Sequence, residues 1–310
     1  MATLLSARAT PAHQEHPENT PPPPPRKTGS TARIGATGKV RSVGIVLVWI
    51  LAAFNVGTLL WVLLTSLRTH RAIFETPWGL PIPPAFENFA TALFEGEFGI
   101  AAFNTALMTV GGSITLMLLA APAAYVLARS TRKVSGTIFA LFAIGIGVPV
   151  QVIIIPLYVM LEQLHLINSL WGLFLALLGA NIPFTVILLT GFMRSLPNDL
   201  EEAAALDGSS SLRTFWQIMM PLARSGIITL LTLNAINIWN ETFLALVLIQ
   251  DTDKQVLPVA LLNFIARQQT NGADYGGLFA GVLVLVLPMI LLYIWLGRRI
   301  IEGMTLGASK

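Results

Sequence analysis

LPNDLEEAAALDGSSSLRTFWQIMMPLA, residues 196–223, is a polar, punctuated stretch between two apolar segments that are each long enough to cross a bilayer. A connector between membrane helices needs only a few residues, so a long, patterned one is a folded object at the membrane surface. Pro197 closes the preceding helix, because it lacks the N–H that would continue it. Asn198 followed by Glu201 predicts a capping-box start, and Asp199, Glu201 and Glu202 complement the positive helix end. Leu200, Ala203 and Ala204 then share one face of a short helix. Gly208 is its natural stop, since glycine takes the left-handed conformation after a helix without steric cost. Ser209, Ser210 and Ser211 offer a second cap. Leu212, Phe215, Trp216 and Met219 follow at i, i+3, i+4 and i+7, an apolar stripe, and Pro221 closes that helix. The pattern predicts a helix–glycine–helix unit. Its Leu212–Met219 stripe is expected to anchor to the chain's own membrane domain, leaving the Glu202–Gly208 face free to dock on another protein.

Composition gives the setting. The chain has 310 residues, 54% apolar and 11% charged, with a mean hydropathy of +0.70. Soluble domains carry roughly 25% charged residues, so most of this chain is solvated by lipid. A formal charge of +3 is too small to suggest nucleic acid, and the absence of cysteine excludes disulfides and thiol catalysis. Residues 1–42 differ: rich in Pro, Thr, Gly and basic side chains, they carry too little apolar surface to fold and lack the apolar core and cleavage site of a secretory signal. They read as a disordered, Pro-rich cytoplasmic tail, in which His13 and His16 have no scaffold for a metal; no metal site is expected.

A hydrocarbon core of about 30 Å needs roughly 20 apolar residues as helix. Six windows meet that length: Ser42–Leu67, Phe98–Ala128, Val134–Leu161, Gln163–Met193, Ser225–Gln250 and Tyr275–Gly297. The expectation is an all-α membrane protein with six transmembrane helices. With the amino terminus inside, fifteen of the nineteen Lys and Arg fall on cytoplasmic segments, leaving Arg68, Arg71, Lys254 and Arg267 outside. Such asymmetry orients membrane proteins, placing both termini and the 196–223 loop in the cytoplasm. Two outer segments are long. Arg68–Glu97 is proline-rich, with a short helix expected near Phe86–Phe94; Asp251–Asp274 is either a solvated connector or a contact for an external partner.

Glu202-Ala203-Ala204, Asp207-Gly208, Phe215, Ile218 and Pro221, in this spacing and topological position, resemble the EAA motif of permease subunits of binding-protein-dependent ABC importers. Pro156-Leu157-Tyr158, Trp239-Asn240-Glu241 and the ending Glu302 to Lys310 are similar to the carbohydrate branch typified by the maltose-system permease MalG. The resemblance covers roughly 43–310, departing at Ser209 and at Met219-Met220. It implies a type I ABC importer transmembrane domain: a permease domain over 43–298 with its core at about 98–298, the EAA coupling loop at 196–223, and a cytoplasmic tail over 299–310. The implied partners are a second homologous permease, two ATPase subunits and an extracytoplasmic solute-binding protein, in a bacterial cell membrane. The coupling residues implied are Glu202, Ala203, Ala204, Asp207, Gly208, Phe215, Ile218 and Pro221. No cofactor is expected on this chain itself; ATP–Mg would be used by the ATPases. Consistently, no G-x-x-x-x-G-K-[ST] occurs in the sequence, so it is read as a transport subunit and not an enzyme.

Ionisable and amide groups inside spans are costly and usually face a cavity or a partner. Glu241 lies within the fifth window with Asn234, Asn237, Trp239 and Asn240; Asn181 lies mid-way along the fourth. These six are the candidate path residues. Amides and a carboxylate suit sugar hydroxyls and an indole suits a pyranose ring, while the alternative role is interhelical hydrogen bonding. A polyol phosphate or a peptide is the alternative solute. An intramembrane protease would need paired aspartates, a Ser–His pair or H-E-x-x-H, and no span offers them. An ion-driven transporter would need several buried ionisable groups.

Overall fold

The computed structural model of the chain describes residues 38–271 and 274–308 and is helical with no strand among them. The chain divides into two compact units, Met1–Asn55 and Val56–Lys310. In the first, the described residues 38–55 form the opening of helix α1 (Gly38–Ser66), where Asn55 returns its amide to Leu51 O at 2.8 Å. The tail expected over 1–42 lies outside the described residues as far as 37; residues 38–42 belong to α1.

The second unit begins in the rest of α1 and continues through α2 (His70–Glu75) and α3 (Glu87–Ala90), the latter running into a π-turn, Thr91–Glu95. That is the short outer helix expected near Phe86–Phe94. Helix α4 (Phe98–Arg129) is the long central element. Helices α5 (Lys133–Ile146) and α6 (Val150–Gln163) follow, then α7 (Leu170–Ser195). The 196–223 loop contributes α8 (Asp199–Leu206), α9 (Ser211–Thr214) with a π-turn at Phe215–Met219, and α10 (Met220–Leu222). Beyond it lie α11 (Arg224–Trp239), α12 (Phe243–Leu248), α13 (Leu257–Asn271) and α14 (Tyr275–Ala308).

Among the described residues four helices are long and apolar enough to cross a membrane, or up to six if two bent pairs each count as one span, the second pair being Ser211–Leu222 with α11 at 75°. The third expected span, Val134–Leu161, is one pair: α5 and α6 meet at 101°. Its break is local chemistry. Pro149 has no N–H to donate, and the residue before a proline, Val148, is pushed away from helical backbone. The fifth expected span is interrupted too. After Trp239 the side chain of Asn240 turns back to Ile236 O at 2.7 Å, and Glu241 Oε1 accepts the Leu244 N–H at 2.8 Å, starting α12. Polar side chains that compete for backbone partners in this way end helices. The sixth helix is longer than the expected Tyr275–Gly297 and continues to Ala308, through most of the segment expected as a tail; residues 309–310 lie outside the described ones.

Helix α4 packs along α7 and α11, and α11 along α14. The lower core gathers Met117, Ala121, Ala124, Leu189, Phe192, Met193, Phe215 and Leu230; an upper one gathers Met108, Leu116, Leu173, Leu177, Ile238 and Leu248. In lipid there is no hydrophobic drive between helices, so close packing and interhelical hydrogen bonds hold them. Helix α13 was unforeseen: within Asp251–Asp274 it buries Leu257, Val259, Ala260 and Phe264, packing on α4 and α14. Asn104 and Thr105 of α4 staple its approach. Asn104 Nδ2 donates to Asp253 O and Gln255 O, both at 3.0 Å, and Thr105 Oγ1 accepts the Leu257 N–H at 2.7 Å. On the turn before it, the Lys254 ammonium and the Asn168 side chain hold the Asp251 carboxyl below its usual range.

Arg68, expected on a solvated outer segment, is 3% exposed. Its guanidinium donates to Pro77 O at 3.0 Å and also to Ala72 O, Thr76 O and Thr76 Oγ1, drawing the turn after α1 around itself. Asn88 closes the other side, donating to Ser66 O and Arg68 O at 2.7 and 2.8 Å.

One close approach is testable. A Cβ on Gly281 of α14 would stand 2.1 Å from the ring of Phe98, which is fully buried and has nowhere to swing. Gly281→Ala is expected to destabilise the fold by about 1–3 kcal/mol through overpacking. The measure is a lower thermal midpoint in detergent. Gly136→Ala, also helical and with nothing within 4 Å of the added Cβ, serves as the control and does not lower the midpoint, since alanine is the better helix former.

Candidate functional site

The 196–223 loop is built much as its punctuation indicates, with two differences. Helix α8 ends in a complete Schellman closure: Ser209 N–H reaches Ala204 O at 2.9 Å and Gly208 N–H reaches Ala205 O at 3.0 Å. Gly208 sits at φ +76°, the left-handed region that favours glycine. Ser210 caps α9 by accepting the Arg213 N–H, and Thr214 Oγ1 donates to Ser209 Oγ at 3.2 Å just beyond the glycine corner.

The first difference is at the start of α8. Asn198 is in helical conformation and makes no side-chain cap, so the expected capping box is not formed. Glu201 is occupied elsewhere. Its Oε1 meets Arg129 Nε at 2.5 Å and its Oε2 accepts the Tyr125 hydroxyl at 3.0 Å. The second difference is in the apolar stripe. Continuous α-helix would put Leu212, Phe215, Trp216 and Met219 on one face, but Phe215–Met219 winds as a π-turn, with more residues per turn. Phe215 and Met219 are buried, whereas Leu212 and Trp216 are exposed. The anchor is therefore narrower than expected.

The eight residues implied for coupling divide accordingly. Glu202, Ala203, Asp207, Gly208 and Pro221 are exposed, Ile218 is half-buried, and Ala204 and Phe215 are buried. Leu206, not singled out from the sequence, is 90% exposed at the corner.

The second candidate region is a cavity of about 930 Å³ beneath the α5–α6 bend, walled by α6, α7 and α11. Its lining is mostly apolar, including Ile153, Leu157, Phe184 and Leu233, and its polar groups are Asn181, Asn234, Asn237 and Glu241. The amides are knitted between helices. Asn237 Nδ2 donates to Asn181 Oδ1, Asn181 Nδ2 to Leu177 O at 2.8 Å, and Asn234 pairs with Thr185 Oγ1 at about 3.1–3.2 Å. Thus four of the six path candidates meet at one cavity, and the amides also staple α7 to α11. Trp239 and Asn240 are not among its lining residues. Trp239 is buried with Phe98, Leu257 and Phe264, donating from its indole to Leu285 O of α14 at 3.0 Å. It is a core residue and not a free ring for a sugar. Asn240 is exposed and occupied by its own helix.

The Thr185–Asn234 pair predicts a measurable coupling. In a double-mutant cycle of Thr185→Val and Asn234→Leu, unfolding in mixed micelles is expected to yield an interaction energy of about 0.6–1.7 kcal/mol. Additive single effects would mean that the pair does not hold α7 to α11.

Comparison with known proteins follows this geometry. The family model described as "Binding-protein-dependent transport system inner membrane component" matches residues 117–305. The diacetylchitobiose uptake system permease protein NgcG of Streptomyces coelicolor is 36% identical over 252 residues, covering 81% of this chain and 83% of that protein. The multiple sugar-binding transport system permease protein MsmG of Streptococcus mutans is 34% identical, covering 79% of this chain and 88% of that protein. Among solved structures, a bacterial ABC transporter involved in the import of the acidic polysaccharide alginate shares the fold, with a TM-score of 0.72 at 24% identity, over 84% of this chain and 96% of that one.

Proposed function

The chain belongs to the family of binding-protein-dependent transport system inner membrane components, and on that premise we propose that it is the permease subunit of an ATP-driven importer that forms half of a carbohydrate path. The solute class is supported by relatives named for diacetylchitobiose and for multiple sugars. The family makes the chain a multi-pass membrane protein. Its proposed orientation has both termini in the cytoplasm, supported by the placement of Lys and Arg. In this reading a second homologous permease completes the path, and two cytoplasmic ATPase subunits supply the energy by using ATP–Mg. An extracytoplasmic binding protein delivers the solute.

One observation carries the coupling assignment: Glu202, Ala203, Leu206, Asp207 and Gly208 stand exposed on a corner that the Schellman closure fixes. Buried Ala204, Phe215 and Met219 hold that corner from behind. Energy enters there, as the ATPase pair closes and displaces the loop. Solute passes through the cavity at the α5–α6 bend, where amides and the Glu241 carboxylate offer partners to hydroxyls in an otherwise apolar wall. Such contacts are weak enough to release what they bind.

Gly208 gives the test. A side chain there would meet no atom within 4 Å, so the damage is confined to the backbone, which a β-branched residue cannot hold at positive φ without a cost of about 1–3 kcal/mol. Gly208→Val is expected to leave membrane insertion intact and to abolish binding-protein-stimulated ATP hydrolysis in the assembled complex. Normal stimulation in that variant would refute the coupling assignment.

A further inference from the structure

The loop has two arms, one on each side of Gly208, and both converge on a single turn of α4. From the first arm comes Glu201, whose two carboxylate oxygens are taken by Arg129 Nε at 2.5 Å and the Tyr125 hydroxyl at 3.0 Å. From the second arm comes Phe215, whose ring lies 5.2 Å from that of Tyr125. Arg129 does a further thing: its Nη2 donates to Leu196 O at 3.2 Å, at the point where α7 gives way to the loop. One guanidinium therefore holds both the hinge and the first helix beyond it.

Helix α8 has little else to hold it. Ala204 is its single buried residue, and Leu200 and Leu206 stand exposed. The Arg129–Glu201 pair is itself mostly shielded, with side chains 17% and 20% exposed, so it is screened less by salt than a surface pair. Tyr125 and Arg129 are i and i+4, on one face of the last turn of α4. Helix α4 in turn packs along α7 and α11, which carry Asn181 and Asn234.

We propose that Tyr125 and Arg129 are positioning residues: they clamp both arms of the loop to α4 and deliver the loop's displacement to that helix. Glu201 is then the grip on the lever and not part of the face offered to the ATPase. The inference rests on the reading of the loop as an ATPase-docking element. It adds the route by which docking becomes movement in the membrane. Disconnected from α4, the loop would still present Glu202 to Gly208, but its displacement would be absorbed at the hinge.

The experiment uses the full chain assembled with its partner permease and ATPases in proteoliposomes, with the cognate binding protein as stimulant. Arg129→Gln and Glu201→Gln are expected to keep the ATPase subunits through purification. Binding-protein-stimulated ATP hydrolysis should fall by about tenfold or more, the range of a lost coupling between sites. Charge reversal, Arg129→Glu with Glu201→Arg, should recover most of it. The chain has no cysteine, so Arg129→Cys with Glu201→Cys gives a clean pair. Bridging that pair with a short cleavable bifunctional thiol reagent should switch stimulation on, and cleaving the bridge should switch it off. This reversible readout decides the matter even if the Gln variants fail to accumulate. Full stimulation in the Gln variants would overturn the proposal, as would a bridged pair that stays silent while still holding its ATPases. Loss of the ATPases from the Gln variants would overturn it too, by placing Glu201 in the docking face. The docking reading itself fails separately, through normal stimulation in Gly208→Val.

Discussion

The structure depends on one constraint: in hydrocarbon, every backbone N–H and C=O must find a partner within the protein. Runs of apolar sequence answer it by being helical. The informative places are those where the helix stops inside or beside the membrane, because each stop needs a substitute partner. Glu241 supplies one at the start of α12, and Asn240 another at the end of α11. Asn168 supplies two just beyond α12, accepting the N–H groups of Gln250 and Asp251 at 3.0 Å. Arg68 gathers several carbonyls of the turn after α1. In the 196–223 loop the substitute is backbone conformation, through Gly208. Glu241 and Asn240, which look like candidates for solute in a sequence, are thus claimed first by the chain's own broken ends.

That competition explains what was legible in the sequence. Helices set by composition alone, such as Phe98–Arg129 and Leu170–Ser195, are plain from their apolar length. The Gly208 corner is plain because few residues other than glycine tolerate its backbone. The α5–α6 bend was written in Val148-Pro149, yet apolar length alone carries no direction, and one window served for two helices. Helix α13 was hidden because its buried face is short and the surrounding DTDK and QQTNGAD read as loop. The π-turn at Phe215–Met219 could not be seen, since an i, i+3, i+4, i+7 pattern presumes α-helical winding. Glu201 was misassigned for a related reason: a local partner three residues away was visible, whereas Arg129, seventy-two residues earlier, was not.

The two candidate regions differ in how their chemistry is held. The loop is held by backbone bonds, one ion pair and the buried side chains of Ala204, Phe215 and Met219, which together fix the shape of its corner. The cavity has mostly apolar walls; its amides are tied across α7 and α11, while Glu241 holds the Leu244 N–H.

The bent pair α5 and α6 has a consequence for the surface that the chain presents. Helix α5 buries none of its residues and α6 buries only Leu161, while Val134, Leu141, Ile144, Val152 and Ile155 stand exposed. In water a surface of that kind would precipitate. Acyl chains are as apolar as leucine and cover it without penalty. A face of that kind is at home in hydrocarbon with no protein against it, and what sets it apart there is the shape of the bend, because apolar character is common to every helix in the membrane.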